Sequence, residues 1–204
     1  MNLLSITLLA GAMFLLAVTP GPGVLATVAR ALASGFRPAA MVVAGIVIGD
    51  LVFLLLAIFG LGALAAVLGD LFIIVKYLGA AYLVWLGLRL WTAGPAADDG
   101  ATVNDQRAAG DLLSGLLITL ANPKVILFYL GLLPTFVDLA HLTAVDILVT
   151  ALVVSTVLGG TLLGYALAAS RARRLLRSER AARVMNRTAG TAMLAAGTTL
   201  ALKS

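Results

Sequence analysis

The sequence has no cysteine and a single histidine, His141. Disulfides, thiolate metal centres and thiol relays are thereby excluded, and one histidine in a loop does not make a metal site. Charge is scarce as well: Asp, Glu, Lys and Arg together supply 11% of the 204 residues, where an ordinary soluble domain has roughly 25%. The apolar runs also lack the polar alternation that a transmembrane β-barrel needs for its lumen face. What is present is apolar, 62% hydrophobic residues with a mean hydropathy of +1.10.

These figures describe an all-α, polytopic membrane protein. A helix needs roughly 20 apolar residues to cross a ~30 Å hydrocarbon core, and segments of that kind lie at about 3–29, 39–66, 71–91, 112–137, 147–170 and 184–202. The expectation is one transmembrane domain over 1–204 with six spans. The opening MNLLSITLLAG has no basic stretch of the kind that precedes a cleaved signal, so the first segment is expected to remain.

The net charge of +5 is not spread evenly. Arg30 and Arg37 flank the first loop, Arg89 and Arg107 the third, and Arg171, Arg173, Arg174, Arg177, Arg180, Arg183 and Arg187 the fifth. Loops one, three and five are therefore expected in the cytoplasm, with both termini outside. The arginine cluster reads as a face toward lipid headgroups and not as a nucleic-acid surface.

The stretch TAGPAADDGATVNDQRAAGD (92–111) has no apolar periodicity and reads as a cytoplasmic linker between two halves, about 1–91 and 112–204. The halves resemble one another: Thr19-Pro20 matches Asn122-Pro123, Gly49-Asp50 matches Gly159-Gly160, and Lys76-Tyr77-Leu78-Gly79 matches Arg187-Thr188-Ala189-Gly190. Three spans per half is an odd number, so the second copy inserts inverted relative to the first. Inverted repeats with interrupted helices are the architecture of many secondary transporters.

The interruptions are predicted from VTPGPG (18–23) and ANPK (121–124), each inside an apolar run. Proline removes a main-chain donor and clashes with the preceding turn, and glycine is a poor helix former. Thr19 and Asn122 are suited to N-caps, with Pro20 and Pro123 at first helical positions. A helix start in mid-membrane presents free N–H groups and a positive dipole end to an anion; the alternative is a packed kink satisfied by neighbouring helices.

Two ionisable residues also fall within spans, Asp50 and Lys124. A charge at the centre of a membrane helix costs roughly 2.5–3.5 kcal/mol even on the insertion scale. At a rise of ~1.5 Å per residue, Pro20 lies about 15 Å, and Asp50 and Lys124 about 20 Å, from the loop charges. All three are expected near mid-membrane in one cavity. One reading is a static Asp50–Lys124 ion pair. The other makes Asp50 a proton carrier and Lys124 the partner of a substrate carboxylate. Thr119, Tyr129, Tyr82 and Asn186 are secondary polar positions, and the GxxxG patterns Gly45–Gly49 and Gly160–Gly164 are expected to pack helices closely.

TPGPG (19–23), GIVIGD (45–50), KYLGAAYLVWLGLRLW (76–91) and LITLANPKVILFYLGLLPTFV (117–137), in this order, resemble the LysE/RhtB family of amino-acid exporters over nearly the whole chain, the last two spans matching only in general character. The resemblance implies a six-span carrier of the bacterial inner membrane that expels amino acids or close derivatives using the proton gradient. It carries onto Pro20, Gly21, Pro22, Asp50, Asn122, Pro123 and Lys124. With Thr19 these are the expected substrate- and ion-binding residues. Where many members have a large apolar residue before the fourth span, this chain has Gly110-Asp111.

An exporter of metal ions or of another small solute, a channel or structural assembly partner, and an intramembrane enzyme fit less well. A metal exporter would have only Asp50 as a ligand within the membrane, a channel should show a continuous polar stripe, and an enzyme needs a nucleophile with a base or a metal cluster. The expected ligands are an amino acid, protons and lipid, with no cofactor, metal or nucleic acid. Sequence does not fix whether the protein forms a homo-oligomer.

Overall fold

The computed structural model describes residues 1–92, 105–138 and 141–175, together with 187, 190, 191, 194, 195 and 198; over much of 60–92 the backbone alone is described. Among the described residues the chain is helical. The elements are α1 (Leu3–Val18), α2 (Pro22–Ser34), α3 (Phe36–Thr92), α4 (Asp105–Leu120), α5 (Pro123–Leu127), a π-helical turn (Phe128–Leu132), α6 (Leu133–Phe136) and α7 (Ala144–Leu175).

Both predicted interruptions are present. Helices α1 and α2 meet at a 57° bend across Thr19-Pro20-Gly21, and the fourth segment breaks at Ala121-Asn122 before resuming at Pro123. The π-helical turn follows from Pro134. A proline in that position cannot donate to the carbonyl four residues back and its ring pushes against it, so the helix widens ahead of it. In this turn Leu133 N–H reaches back to Phe128 O.

The core is assembled from apolar faces of α1, α3, the α4–α6 segment and α7, including Leu9, Met13, Leu54, Ile118, Tyr129, Leu133, Val154 and Leu162. Large apolar side chains also cover the outside: Leu3, Leu15, Phe59, Leu127, Val145 and Leu148 are among the exposed ones. That surface suits hydrocarbon and not water. Among the described residues, two single helices are long and apolar enough to cross a membrane, Phe36–Phe59 and Ala144–Arg173, and the bent α1–α2 pair makes a third.

Helices α3 and α4 run parallel and touch through their backbones. A Cβ placed on Gly45 would overlap the Leu112 carbonyl, and one on Gly115 would overlap the Val42 carbonyl. At Gly49 it would lie 2.7 Å from Thr119 Cβ. The Gly45–Gly49 pattern therefore packs closely, as expected. Gly160 and Gly164 do not do so against the described residues, since a Cβ there meets nothing of them within 4 Å.

Three boundaries differ from the sequence reading. The first loop shrinks to Gly35, whose φ of 89° favours glycine, so Arg30 is helical. The linker assigned to 92–111 ends earlier, because residues from Asp105 onward already belong to α4 and Asp111 pairs with Arg30 (Nε to Oδ1, 2.8 Å). The separate spans expected at 39–66 and 71–91 form one helix, α3, because no proline stands between them to break it. A straight helix would carry Thr92 roughly 70 Å from Gly45. Leu112 lies against Gly45 and is tied to Thr92 by chain reaching at most about 60 Å, so α3 is not straight over that length. The predicted sixth span, 184–202, lies largely outside the described residues.

The ends of the helices are tied together. At one end Arg30 joins α2 to α4, and the guanidinium of Arg173 on α7 lies 3.5 Å from where a Gly35 side chain would start. At the other, the N-terminal ammonium pairs with Asp146, which also accepts from Thr143 N–H (3.1 Å) in a capping box that opens α7.

Candidate functional site

Prolines at 20 and 22 decide the local chemistry. In an unbroken helix Leu16 O would accept from the N–H of residue 20 and Val18 O from that of residue 22, and proline has none. A residue preceding proline is also pushed out of the helical region. Thr19 (ψ 123°) and Gly21 (ψ −178°) are accordingly extended, and no helix restarts until Pro22. This corrects the sequence reading. Thr19 ends α1, its hydroxyl donating back to Leu15 O (2.6 Å), and does not cap the next helix. Gly21 is the N-cap and Pro22 the first helical residue.

Two side chains from distant parts of the chain fill the orphaned carbonyls. Lys124 Nζ donates to Leu16 O and to Thr19 O, the latter at 2.8 Å. Tyr165 Oη, on α7, donates to Val18 O at 3.1 Å. A cation at the carbonyl end of α1 also meets the negative end of its dipole. Lys124 passes directly over Gly21, whose missing side chain leaves the path clear: a Cβ there would lie 3.8 Å from Lys124 Nζ. At the facing end of the break, no side chain caps the first turn of α2.

The second break heals itself. Pro123 deprives Thr119 O of its helical donor, and Asn122 N–H takes that carbonyl at 3.0 Å. The Asn122 side chain then accepts from Lys124 N–H (3.1 Å), as an N-cap should. Asn122 is buried and Pro123 exposed, and together they set the backbone that aims Lys124 at α1.

Asp50 lies in a different environment. It is 1% exposed, and neither carboxyl oxygen has a hydrogen-bond partner. Its neighbour is the Tyr129 hydroxyl of the π-helical turn, close enough to interact but without a closed hydrogen bond. Phe53 stacks on Tyr129 at 6.1 Å between centroids and Phe128 meets it edge-on at 5.4 Å. Because Gly23 on α2 faces Ile46 (3.4 Å from a Cβ there to Ile46 Cδ1), Asp50, one turn further along α3, comes level with the Thr19–Pro20 break.

The structure thus brings Thr19, Gly21, Asn122 and Lys124 together and places Asp50 at the same height, but sealed from them. The static Asp50–Lys124 ion pair is not formed, since Lys124 is held by main-chain carbonyls. A groove of about 330 Å³ beside Lys124 is lined by Leu16, Lys124, Leu127, Phe128, Gly131 and Leu132, without Asp50. Thr119 is buried against Gly49, while Asn186 and the side chain of Tyr82 lie outside what is described. Tyr165 was not anticipated, although a tyrosine within an apolar run is itself a signal of a polar task.

A family model described as LysE type translocator matches residues 14–204. An uncharacterized membrane protein of Synechocystis sp. is 39% identical over 203 residues, covering 100% of this chain and 97% of its own. A homoserine/homoserine lactone efflux protein of Salmonella typhi is 32% identical over 192 residues, with coverages of 92% and 91%. A leucine efflux protein of Klebsiella pneumoniae is 37% identical over 134 residues, 65% of this chain and 63% of its own. No solved structure matches.

Proposed function

The chain belongs to the LysE type translocator family, and we propose that it is a proton-coupled secondary carrier that exports amino acids or close derivatives across the bacterial inner membrane. The observation that carries this reading is the bridge from Lys124 to the broken end of α1. It sets a cation on two carbonyls that lack helical donors, beside an uncapped helix start and within an apolar stretch of sequence, where lipid would otherwise exclude all three. Two relatives bear the names of efflux proteins for leucine and for homoserine or its lactone.

A zwitterion has a charge for each part. Its carboxylate would take Lys124 and the first-turn amides of α2, and its ammonium would pass to Asp50 only after loading, when the core around that carboxyl opens. The groove beside Lys124 is lined mainly by leucine and phenylalanine, which suits a small apolar side chain. Asp50, with no cation or N–H donor on its oxygens, suits a carboxyl that carries a proton between loading events. Proton arrival from outside releases the ammonium, and departure toward the cytoplasm readies the site again.

Six crossings in two inverted halves would require the helix α3, continuous from Phe36 to Thr92 in this structure, to open and turn back between 66 and 71, giving spans two and three. The parallel contact of α3 with α4 supports this, since the second and fourth crossings of an alternating chain run the same way. Loops one, three and five then lie in the cytoplasm and both termini outside.

The test is efflux from preloaded proteoliposomes against the twenty amino acids and homoserine, with and without a protonophore. At least one should leave faster than from empty vesicles, and the protonophore should remove that excess. No accelerated cargo in the panel overturns the substrate class. Accelerated efflux that is indifferent to the protonophore overturns the coupling.

A further inference from the structure

We propose that the carbonyl oxygens of Leu16 and Thr19 form a seat for a primary ammonium, occupied by Lys124 in the empty carrier and taken over by the α-ammonium of the cargo on loading. The identity of that cargo rests on the exporter reading above; the seat itself does not.

Leu16 O is orphaned by Pro20, and Thr19 O belongs to a residue held extended between two helices, so neither has a helical donor. Both converge on one Nζ. An ammonium with three N–H groups can serve two carbonyls and still offer a third bond. The dipole of α1 adds to the attraction, because this is its negative end. Val18 O, between them in sequence, is reserved by Tyr165 and takes no part.

Lys124 is a replaceable occupant. Its bonds to neutral carbonyls are weaker than a bond to a carboxylate, where both partners are charged. An arriving amino acid offers Lys124 that carboxylate. If Lys124 turned to it alone, two carbonyls would be left bare in low dielectric. The cargo's own ammonium fills them. The exchange keeps every charge paired throughout: lysine on carbonyls becomes lysine on carboxylate and cargo ammonium on carbonyls. It also dictates selectivity, requiring a free primary amine and rejecting N-acylated or quaternary analogues.

Because the seat should exist without transport, it is tested on stability. Lys124→Ala is purified in detergent and its thermal unfolding followed with n-propylammonium chloride or tetramethylammonium chloride at equal concentration. The first has N–H donors, the second only charge. The variant should unfold at lower temperature than the parent, propylammonium should restore at least half of that loss, and tetramethylammonium should restore none of it. The parent protein should respond to neither. Equal responses of the variant to both salts, or to neither, overturn the proposal.

If Lys124→Ala does not purify, the parent sequence's lack of cysteine gives a second route. Lys124→Cys is treated in membranes with 2-bromoethylamine, whose bromide leaves as the thiolate forms a thioether ending in an ammonium of lysine length. This should restore protease resistance, whereas iodoacetamide should not; identical outcomes overturn the seat. Failure here with successful efflux leaves the exporter standing, and rescue without efflux leaves the seat standing.

Discussion

The carboxyl of Asp50 lies beside the hydroxyl of Tyr129 within the core, and the oxygens of both residues lack any hydrogen-bond partner. Two polar groups side by side, each unsatisfied, are an unfavourable arrangement for a purely structural pair. The pairing makes sense if it is transient, closed in one stage of the cycle and open in another.

Asp50→Asn should therefore stop proton-coupled efflux while leaving the fold intact. The side chain keeps its volume and loses only its proton chemistry, so the unfolding temperature should stay within what a ~1 kcal/mol change allows. Protonophore-sensitive efflux should fall to the level of empty vesicles. Tyr129→Phe removes the neighbour and should slow efflux without abolishing it. Full transport by Asp50→Asn would sink its role as the proton carrier.

Substitution at the α3–α4 contact should separate glycines that look alike in sequence. Gly45→Val or Gly115→Val drives a side chain into a facing carbonyl and should cost about 3 kcal/mol or more, beyond ordinary overpacking. Gly160→Ala and Gly164→Ala meet open space, and their effect should stay within about 0.5–1 kcal/mol, with helix propensity favouring alanine. Thermal unfolding of the purified variants decides this, and equal losses in both sets contradict the assignment.

The Arg30–Asp111 pair has side-chain exposures of 31% and 14%, between the surface and buried cases. Breaking it with Arg30→Gln or Asp111→Asn should cost about 1–2 kcal/mol. Exchanging the two residues should recover part of that loss, and a double-mutant cycle showing no coupling would count against the tie.

Topology can be read with reporters. Activity is expected outside for fusions at Asp70 and after Ser204, and inside for insertions within 93–104. Cytoplasmic activity at Asp70 would remove the fold-back of α3, and with it the count of six.

The class of protein and the two breaks were legible because composition and proline act locally. The point at which α2 restarts was not read correctly: a single proline suggests one helical start, whereas Pro20 and Pro22 together hold Thr19 and Gly21 extended and postpone it. The partner of Lys124 was missed for another reason. Charge-pairing logic looks for a carboxylate, and main-chain carbonyls carry no letter in a sequence. Their trace was nevertheless present, since two prolines two residues apart strip the donors from Leu16 and Val18. The contact of Gly115 with Val42 depends on which helices become neighbours, and only the tertiary fold supplies that.

With main chain against main chain at Gly45 and Gly115, no layer of side chains remains on which α3 and α4 could slide. These two helices come from opposite halves of the chain, so the halves are bolted together at their centre. A rocking motion of one half against the other would have to shear that joint. If the protein works as the carrier proposed above, alternating access would fall to the hinged arm, α1 and α2 swinging about Thr19-Pro20-Gly21, against a stationary central plank.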